Sequence, residues 1–305
     1  MTADTTQVGI LTSDEYADLA EDGQAIATAL EARGVHAEPI VWSDADDLEA
    51  YDAAVVRSCW DYHTDPEGFL SFLEDLEGAG VAVYNPPEVI RWNAHKSYYR
   101  DLEAAGVPIP PSVCLEAGTE TSLEAILREQ GWSDAVVKPA VGAGSAGVWK
   151  TSLEDAADDQ ERFDDACADG DVVVQEFTPE IEHGERSIVF VRGAYSHAWN
   201  DPTKADDFSD FEEPELSYEP GERALEVAES TLETACEILE CAPSSLPYAR
   251  VDYAEDDGTF SVMELELIEP YLGLVREKGA VERFVDAFVT ILRDDLEDTR
   301  VSADG

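Results

Sequence analysis

Along most of the chain, short apolar runs alternate with stretches whose apolar positions recur at helical spacing. Val8 to Leu11 is an apolar run of strand length, and Ala25, Ile26, Ala29 and Leu30 share one helical face that closes at Gly34. Residues 36–42 and 51–57 read as the next strands, 66–76 as a helix opening on Pro66, and 81–84 as a fourth strand. This order predicts a small open α/β unit at the start of the chain. Further on, 92–106 reads as one amphipathic helix, 112–114 as a strand, 122–129 as a helix and 135–137 as a strand. Residues 152–167 predict an acidic helix, 171–177 a buried strand, and 188–191 with 194–199 two more strands. A helix over 221–239 and neighbouring strands over 248–252 and 260–267 follow, and no element is assigned beyond Leu267. Residues 200–220 show no periodicity, and so long a loop inside a compact domain predicts function or mobility. The fold class is α/β, shading into α+β after the first unit.

Residues 135–150, AVVKPAVGAGSAGVWK, set glycines between two apolar runs. The letters from Gly142 to Gly147 satisfy the dinucleotide fingerprint, but that motif works only where its glycines open a helix directly after a strand. Val148-Trp149-Lys150 reads as extended, and the next helix start is Thr151 or Ser152, so the glycines join two strands. No Gly-Lys-Ser/Thr follows, which excludes a Walker A loop. Such a hairpin can turn backbone N–H groups toward an anion, and Lys138 at the end of the preceding strand can add a point charge. A flexible hairpin without a ligand is the alternative.

Three other stretches carry candidate chemistry. Arg57-Ser-Cys-Trp-Asp-Tyr62 lies at the carboxyl end of the third expected strand, the edge where open α/β sheets take ligands. Arg57 is suited to grip a substrate carboxylate bidentately, with Trp60, Asp61 and Tyr62 shaping the pocket; a strand-to-helix loop with a packed tryptophan is the alternative. The strand over 171–177 ends in Gln175, Glu176 and Phe177, a polar pair and an aromatic ring that suit adenine, though a core strand with a capping acid has the same letters. Glu264 and Glu266 are two apart and share a strand face, with Asp252 on the neighbouring strand. Carboxylates within an apolar strand are costly without a cation, and three of them beside phosphates are an ordinary way to hold Mg²⁺. A polar, solvent-facing side of the sheet is the alternative.

Composition changes the picture in one respect. The 305 residues hold 69 Asp+Glu against 19 Lys+Arg, a formal net charge of −50. A hydrophobic content of 44% with six Trp marks a folded chain rather than a charged, disordered one. Acids spread over the whole length point to a solvated surface adapted to a salt-rich cytoplasm, as in halophiles, and make nucleic acid a poor partner. The five cysteines are scattered without metal-ligand spacing and are expected as free thiols in a reducing compartment. Neither a signal-peptide pattern nor an apolar run of membrane-spanning length is present, so a cytoplasmic protein without a membrane partner is expected.

Taken in order, the motifs resemble the ATP-grasp superfamily over most of the chain. The order is an α/β unit, Lys96, Lys138 in Val-Val-Lys-Pro, the glycine-rich loop, Gln-Glu-Phe (175–177), Arg-Val-Asp (250–252), and Glu-x-Glu (264–266) before Pro270. The branch it is most similar to contains the prokaryotic glutathione synthetases and the ligases that modify ribosomal protein S6, in which the last motif is Glu-x-Asn. The resemblance implies an ATP-grasp fold: an N-terminal Rossmann-like pre-ATP-grasp domain over 1–90, a small lid subdomain over 91–177 and a C-terminal metal-binding subdomain over 178–305. It implies ATP and Mg²⁺, with Mn²⁺ as a substitute. Lys96 and Lys138 would contact the phosphates, and Gly142, Gly144, Ser145, Ala146 and Gly147 would form the lid. Gln175, Glu176 and Phe177 would hold adenine, Glu182 the ribose, and Asp252, Glu264 and Glu266 the metal. Arg186, in the acid–arginine pair after the hinge, and Lys204, in a segment where relatives carry an arginine, are the candidate catalytic residues.

The implied activity is carboxylate–amine ligation through an acyl phosphate, with an amino acid or small peptide among its small-molecule substrates and a homo-oligomer as the assembly. One alternative is an amino-acid-cyclising enzyme like the cycloserine-forming branch. Another is a non-catalytic ATP-binding regulatory protein, which the missing arginine favours and the three carboxylates oppose. The charge alone makes a prediction. Self-repulsion is screened as the Debye length falls to about 3 Å at about 1 M salt. The thermal unfolding midpoint should therefore rise between about 0.1 M and about 1 M KCl; a midpoint that falls or stays level would contradict this reading of the surface.

Overall fold

The computed structural model describes residues 5–201, 218–256 and 258–303. Three four-stranded sheets organise them. The first contains β1 (Gln7–Thr12), β2 (His36–Val41), β3 (Ala53–Ser58) and β4 (Ala82–Tyr84), all parallel in the order β2-β1-β3-β4. Helices α1 (Glu21–Glu31) and α2 (Pro66–Gly78) connect its strands. Strands buried on both faces read as continuous apolar runs, and β3, Ala-Ala-Val-Val-Arg-Ser, is buried along its whole length. Its side chains still divide by parity: Ala53 and Val55 join the cluster around α1, while Ala54 and Val56 pack with Phe69, Leu73 and Leu76 of α2.

The second sheet is antiparallel, in the order β5-β8-β6-β7, from β5 (Ser112–Leu115), β6 (Asp134–Pro139), β7 (Trp149–Ser152) and β8 (Val172–Glu176). As the extended letters on both sides of the glycines suggest, β6 and β7 form a hairpin. Between β5 and β8, two helices numbered in chain order cover one face: α5 (Leu123–Gln130) and α6 (Gln160–Asp169). The third sheet is also antiparallel, in the order β10-β9-β11-β12, from β9 (Glu185–Val191), β10 (Ala194–Asp201), β11 (Tyr248–Asp256) and β12 (Thr259–Glu266). Ile188, Phe190, Val251 and Leu265 pack on one side with α4 (Tyr98–Ala104) and α7 (Glu222–Ile238). Val189, Trp199 and Tyr248 pack on the other with α8 (Ala280–Ala303) and with the first sheet.

Three elements differ from the expectation. The helix expected over 92–106 is two helices, α3 (Pro87–Asn93) and α4, broken at residues 94–97, where the Lys96 amide donates to Ala140 O at 2.7 Å. The helix expected from residue 152 begins at Gln160, because the Ser152 Oγ caps a local turn by accepting from the Asp155 amide. The long helix α8 lies beyond the last expected element, although Val281, Phe284, Val285, Phe288 and Leu292 recur at helical spacing. Phe284 is fully buried in the cluster that joins α8 to the first and third sheets. Phe284→Ala should therefore lower the unfolding free energy in a denaturant titration by about 3–5 kcal/mol; a loss below about 1 kcal/mol would contradict this joint core.

Candidate active site

Strand register brings the acidic residues together. Asp252 on β11 faces Glu264 on β12, Arg250 faces Glu266, and Ser187 on β9 lies on the other side of Asp252. With a period of two, these side chains share one face of the sheet. The Asp252 carboxylate accepts from Ser187 Oγ at 2.6 Å, from Arg250 Nε at 2.9 Å and from Arg250 Nη2 at 2.7 Å. The same Nη2 reaches Glu266 Oε1 at 2.5 Å. Lys96, delivered by the break between α3 and α4, places its Nζ 2.8 Å from Glu264 Oε1.

This face is one wall of a cavity of about 720 Å³. The opposite wall is the second sheet with Val136, Lys138 and the loop residues Gly142, Gly144, Ser145 and Ala146. Loops of the first sheet close one end with Tyr16, Trp60 and Tyr62, and the segment after β12 contributes Ile268, Glu269 and Tyr271. Gly147 holds φ at +73°, and a Cβ there would lie 2.9 Å from the Pro139 ring, so the loop can pass under β6 only with glycine.

Charge dominates this cavity. Burial alone would raise the Glu264 carboxyl, but Lys96, Lys138 and Arg250 hold it down to about 2. Glu266 goes the other way: burial, with Asp252, Glu264 and Glu269 nearby, keeps it well above the usual carboxylate range despite Arg250. Burial also pushes Glu269 up to about 7. Lys96 is raised, because the attraction of Glu264, Glu266 and Glu269 outweighs its own burial. Six carboxylates (Glu185, Asp201, Asp252, Glu264, Glu266 and Glu269) thus line the cavity with the lysine and arginine side chains of Lys96, Lys138 and Arg250. Among the described residues no three His, Cys, Asp or Glu side chains stand grouped as metal ligands, and Lys96 and Arg250 bond one oxygen each of Glu264 and Glu266. The residual negative charge and the all-oxygen donor set nevertheless fit a hard divalent cation.

The expected residues divide clearly. Lys96, Lys138, the glycine loop, Trp60, Asp252, Glu264 and Glu266 meet at the cavity. Arg57 does not, and this corrects its expected role as substrate anchor: its guanidinium is buried, donates to Pro270 O at 2.7 Å and lies 4.8 Å from the Tyr248 ring centre. Asp61 is turned to Trp42 Nε1 at 2.7 Å and does not line the cavity. Arg186 is also corrected, since parity on β9 points Glu185 and Ser187 into the cavity and sends Arg186 to Glu255 O at 3.0 Å on the opposite face. Gln175 is buried against Ser112 and Pro110, outside the lining. Glu176 and Phe177 stand behind the lining as well; Phe177 packs on Ile181 and Met263, which do line it, and carries the Lys150 ammonium 3.5 Å above its ring. Glu182 lies in the turn Pro179–His183, and Lys204 lies outside the described residues. Sequence reasoning missed Arg250 and Glu269 as site residues, although Arg250 stands two before Asp252 on one strand face and Glu269 three after Glu266.

The comparisons with known proteins agree with this fold. A family model described as the N-terminal domain of D-cycloserine synthetase matches residues 8–85. The cycloserine biosynthesis protein DcsG of Streptomyces lavendulae is 27% identical over 273 residues, covering 85% of this chain and 90% of that protein. The crystal structure of D-cycloserine synthetase DcsG superposes with a TM-score of 0.83 at 26% identity, covering 94% of this chain and 99% of that one. The ATP-grasp ligase PsnB, solved with a minimal precursor, Mg and ADP, has a TM-score of 0.61 at 18% identity, covering 94% and 98%.

Among the described residues Arg250 is the one cation bonded to both Asp252 and Glu266, so its loss leaves two neighbouring carboxylates without it. Arg250→Met should lower stability by about 3–5 kcal/mol near pH 8. A carboxyl whose folded pKa is raised gains folded-state stability as it protonates, so the deficit should shrink as pH falls toward about 5. A deficit that is independent of pH in paired denaturant titrations would contradict this electrostatic reading.

Proposed function

With the ATP-grasp fold as premise, we propose that this chain is an ATP- and Mg²⁺-dependent ligase that joins a carboxylate to an amine through an acyl phosphate. The observation that carries the reading is the meeting, in one cavity, of two lysines and a glycine loop on one side with a buried excess of carboxylates on the other. Lys96 and Lys138 bind the nucleotide phosphates as point charges, and the loop from Gly142 to Gly147 covers them. Asp252, Glu264 and Glu266 would hold Mg²⁺, which would neutralise phosphate charge. Lys96 would then exchange Glu264 for phosphate oxygens, and Arg250 would turn from Glu266 toward the transferring group. Arg250 thereby supplies the guanidinium that the letters after Trp199 lack.

The reaction asks little covalent work of the protein. A substrate carboxylate attacks the γ-phosphate, ADP leaves, and an amine displaces phosphate from the acyl phosphate. Lysines and Arg250 stabilise charge that develops in transfer, and the glycine loop excludes water that would hydrolyse the intermediate. Adenine is held near the hinge, with Phe177 behind Ile181 and Met263. The three sheets support the division into an N-terminal domain, a lid and a metal-binding subdomain. The acidic surface suits a salt-rich cytoplasm.

A second reading is favoured by the match of residues 8–85 to the N-terminal domain of D-cycloserine synthetase. Here carboxylate and amine belong to one molecule, and the product is a ring. The two readings differ in whether turnover needs one organic substrate or two. The test is phosphate release from Mg·ATP at about 2 M KCl with amino acids and short peptides, singly and in pairs. Substrate-dependent release should fall at least about 100-fold in Lys138→Ala and Glu264→Ala. Tight ATP binding without release in any mixture would overturn the ligase reading.

A further inference from the structure

The segment leaving β12 is held by its carbonyls. Six in succession each accept from a side chain on another element. Asn85 Nδ2 donates to Leu267 O at 2.7 Å, Tyr248 OH to Ile268 O at 2.7 Å and Trp60 Nε1 to Glu269 O at 2.9 Å. Arg57 Nη2 donates to Pro270 O at 2.7 Å, Arg250 Nη1 to Tyr271 O at 3.0 Å and His197 Nε2 to Leu272 O at 2.7 Å. Irregular backbone is commonly satisfied by other backbone or by water. Here three donors come from the first sheet and its loops and three from the third sheet. The segment is therefore clamped between the two, and its side chains are held in place.

What the clamp presents to the cavity is Glu269. The residue is 8% exposed and lines the cavity with Trp60, Tyr62 and Tyr271. Its carboxylate accepts from its own backbone N–H, and it forms no ion pair with any described residue, unlike Glu264 with Lys96 or Glu266 with Arg250. A buried carboxylate without a direct ion pair is costly, and a cationic ligand would complete it. The aromatic faces around it, with Tyr16 and Trp60 packed edge to face at 4.8 Å, favour an organic ammonium over a hydrated metal ion.

We propose that Glu269 is a specificity residue of the ligase, receiving the ammonium group of an amine-bearing substrate at the aromatic end of the cavity, with the clamped segment holding it there. This rests on the ligase reading above. Arg57 acts through the clamp as a positioning residue rather than by touching substrate.

The experiment screens wild-type protein for ADP formation with each L- and D-amino acid, singly and in pairs, and then measures KM for the active substrates and for ATP in Glu269→Gln and Glu269→Asp. The KM of one amine-bearing substrate should rise about tenfold or more in Glu269→Gln and recover in part in Glu269→Asp. The KM for ATP should stay within about twofold, and the melting temperature should not fall. The hydroxy analogue of that substrate, with OH in place of the amine, should lose its disadvantage in Glu269→Gln. An active wild type whose amine KM is unchanged in Glu269→Gln would overturn the assignment and leave the ligase standing. Mg·ATP binding with no amino-acid-dependent ADP formation would overturn the ligase reading, and this inference with it.

Discussion

Burying carboxylates on one face of a sheet costs more free energy than hydrophobic packing nearby returns, so positive charge has to be brought to them. That constraint governs the centre of this molecule. Asp252, Glu264 and Glu266 are fixed by the register of β11 and β12, and two of the three cations that answer them come from far away in sequence. Lys96 arrives by a break between two helices, Lys138 from the second sheet, and Arg250 from the acidic strand itself. The balance remains negative, as the raised Glu266 shows. A site in this state fits the divalent cation and polyphosphate proposed for it, which would add positive charge to the carboxylates and free the side-chain cations for the phosphates.

The same centre joins the three sheets. The third sheet supplies the acidic wall, the second the lysine and glycine loop, and the first the aromatic end. The segment after β12 links the first and third through six side-chain donors to successive carbonyls. Arg57 belongs to this linkage, and its burial against Tyr248 and Phe284 explains why it cannot also serve a substrate. The glycine loop is the contrasting part, with left-handed backbone at Gly144, Ser145 and Gly147 beside the cavity, where it is proposed as a cover.

Much of this was legible in the letters because it follows from local rules. The parallel strands β1, β3 and β4 of the first sheet carry plain apolar runs, the glycines lie between extended segments, and a spacing of two places Glu264 and Glu266 on one face. Parity separates the two arginines: Arg186 is one residue from Ser187 and so faces away, whereas Arg250 is two from Asp252 and so faces in. β3 withheld its answer, since a strand buried on both faces gives no sign of which side holds Arg57. The carbonyl clamp could not be read at all, because its donors stand up to 213 positions away and leave no periodic trace. Helix α8 had a clear apolar stripe and needed only to be counted.

The central claim is that the buried carboxylates and the lysine and glycine wall form one site for a metal-bound nucleotide. Calorimetric titration of the protein with ATP, with and without Mg²⁺ and in wild type against Glu266→Gln, tests it most directly. The account predicts that Mg²⁺ tightens ATP binding in the wild type and that most of this gain disappears in Glu266→Gln. Equal ATP affinity with and without Mg²⁺, or a Mg²⁺ gain that Glu266→Gln leaves intact, would contradict it.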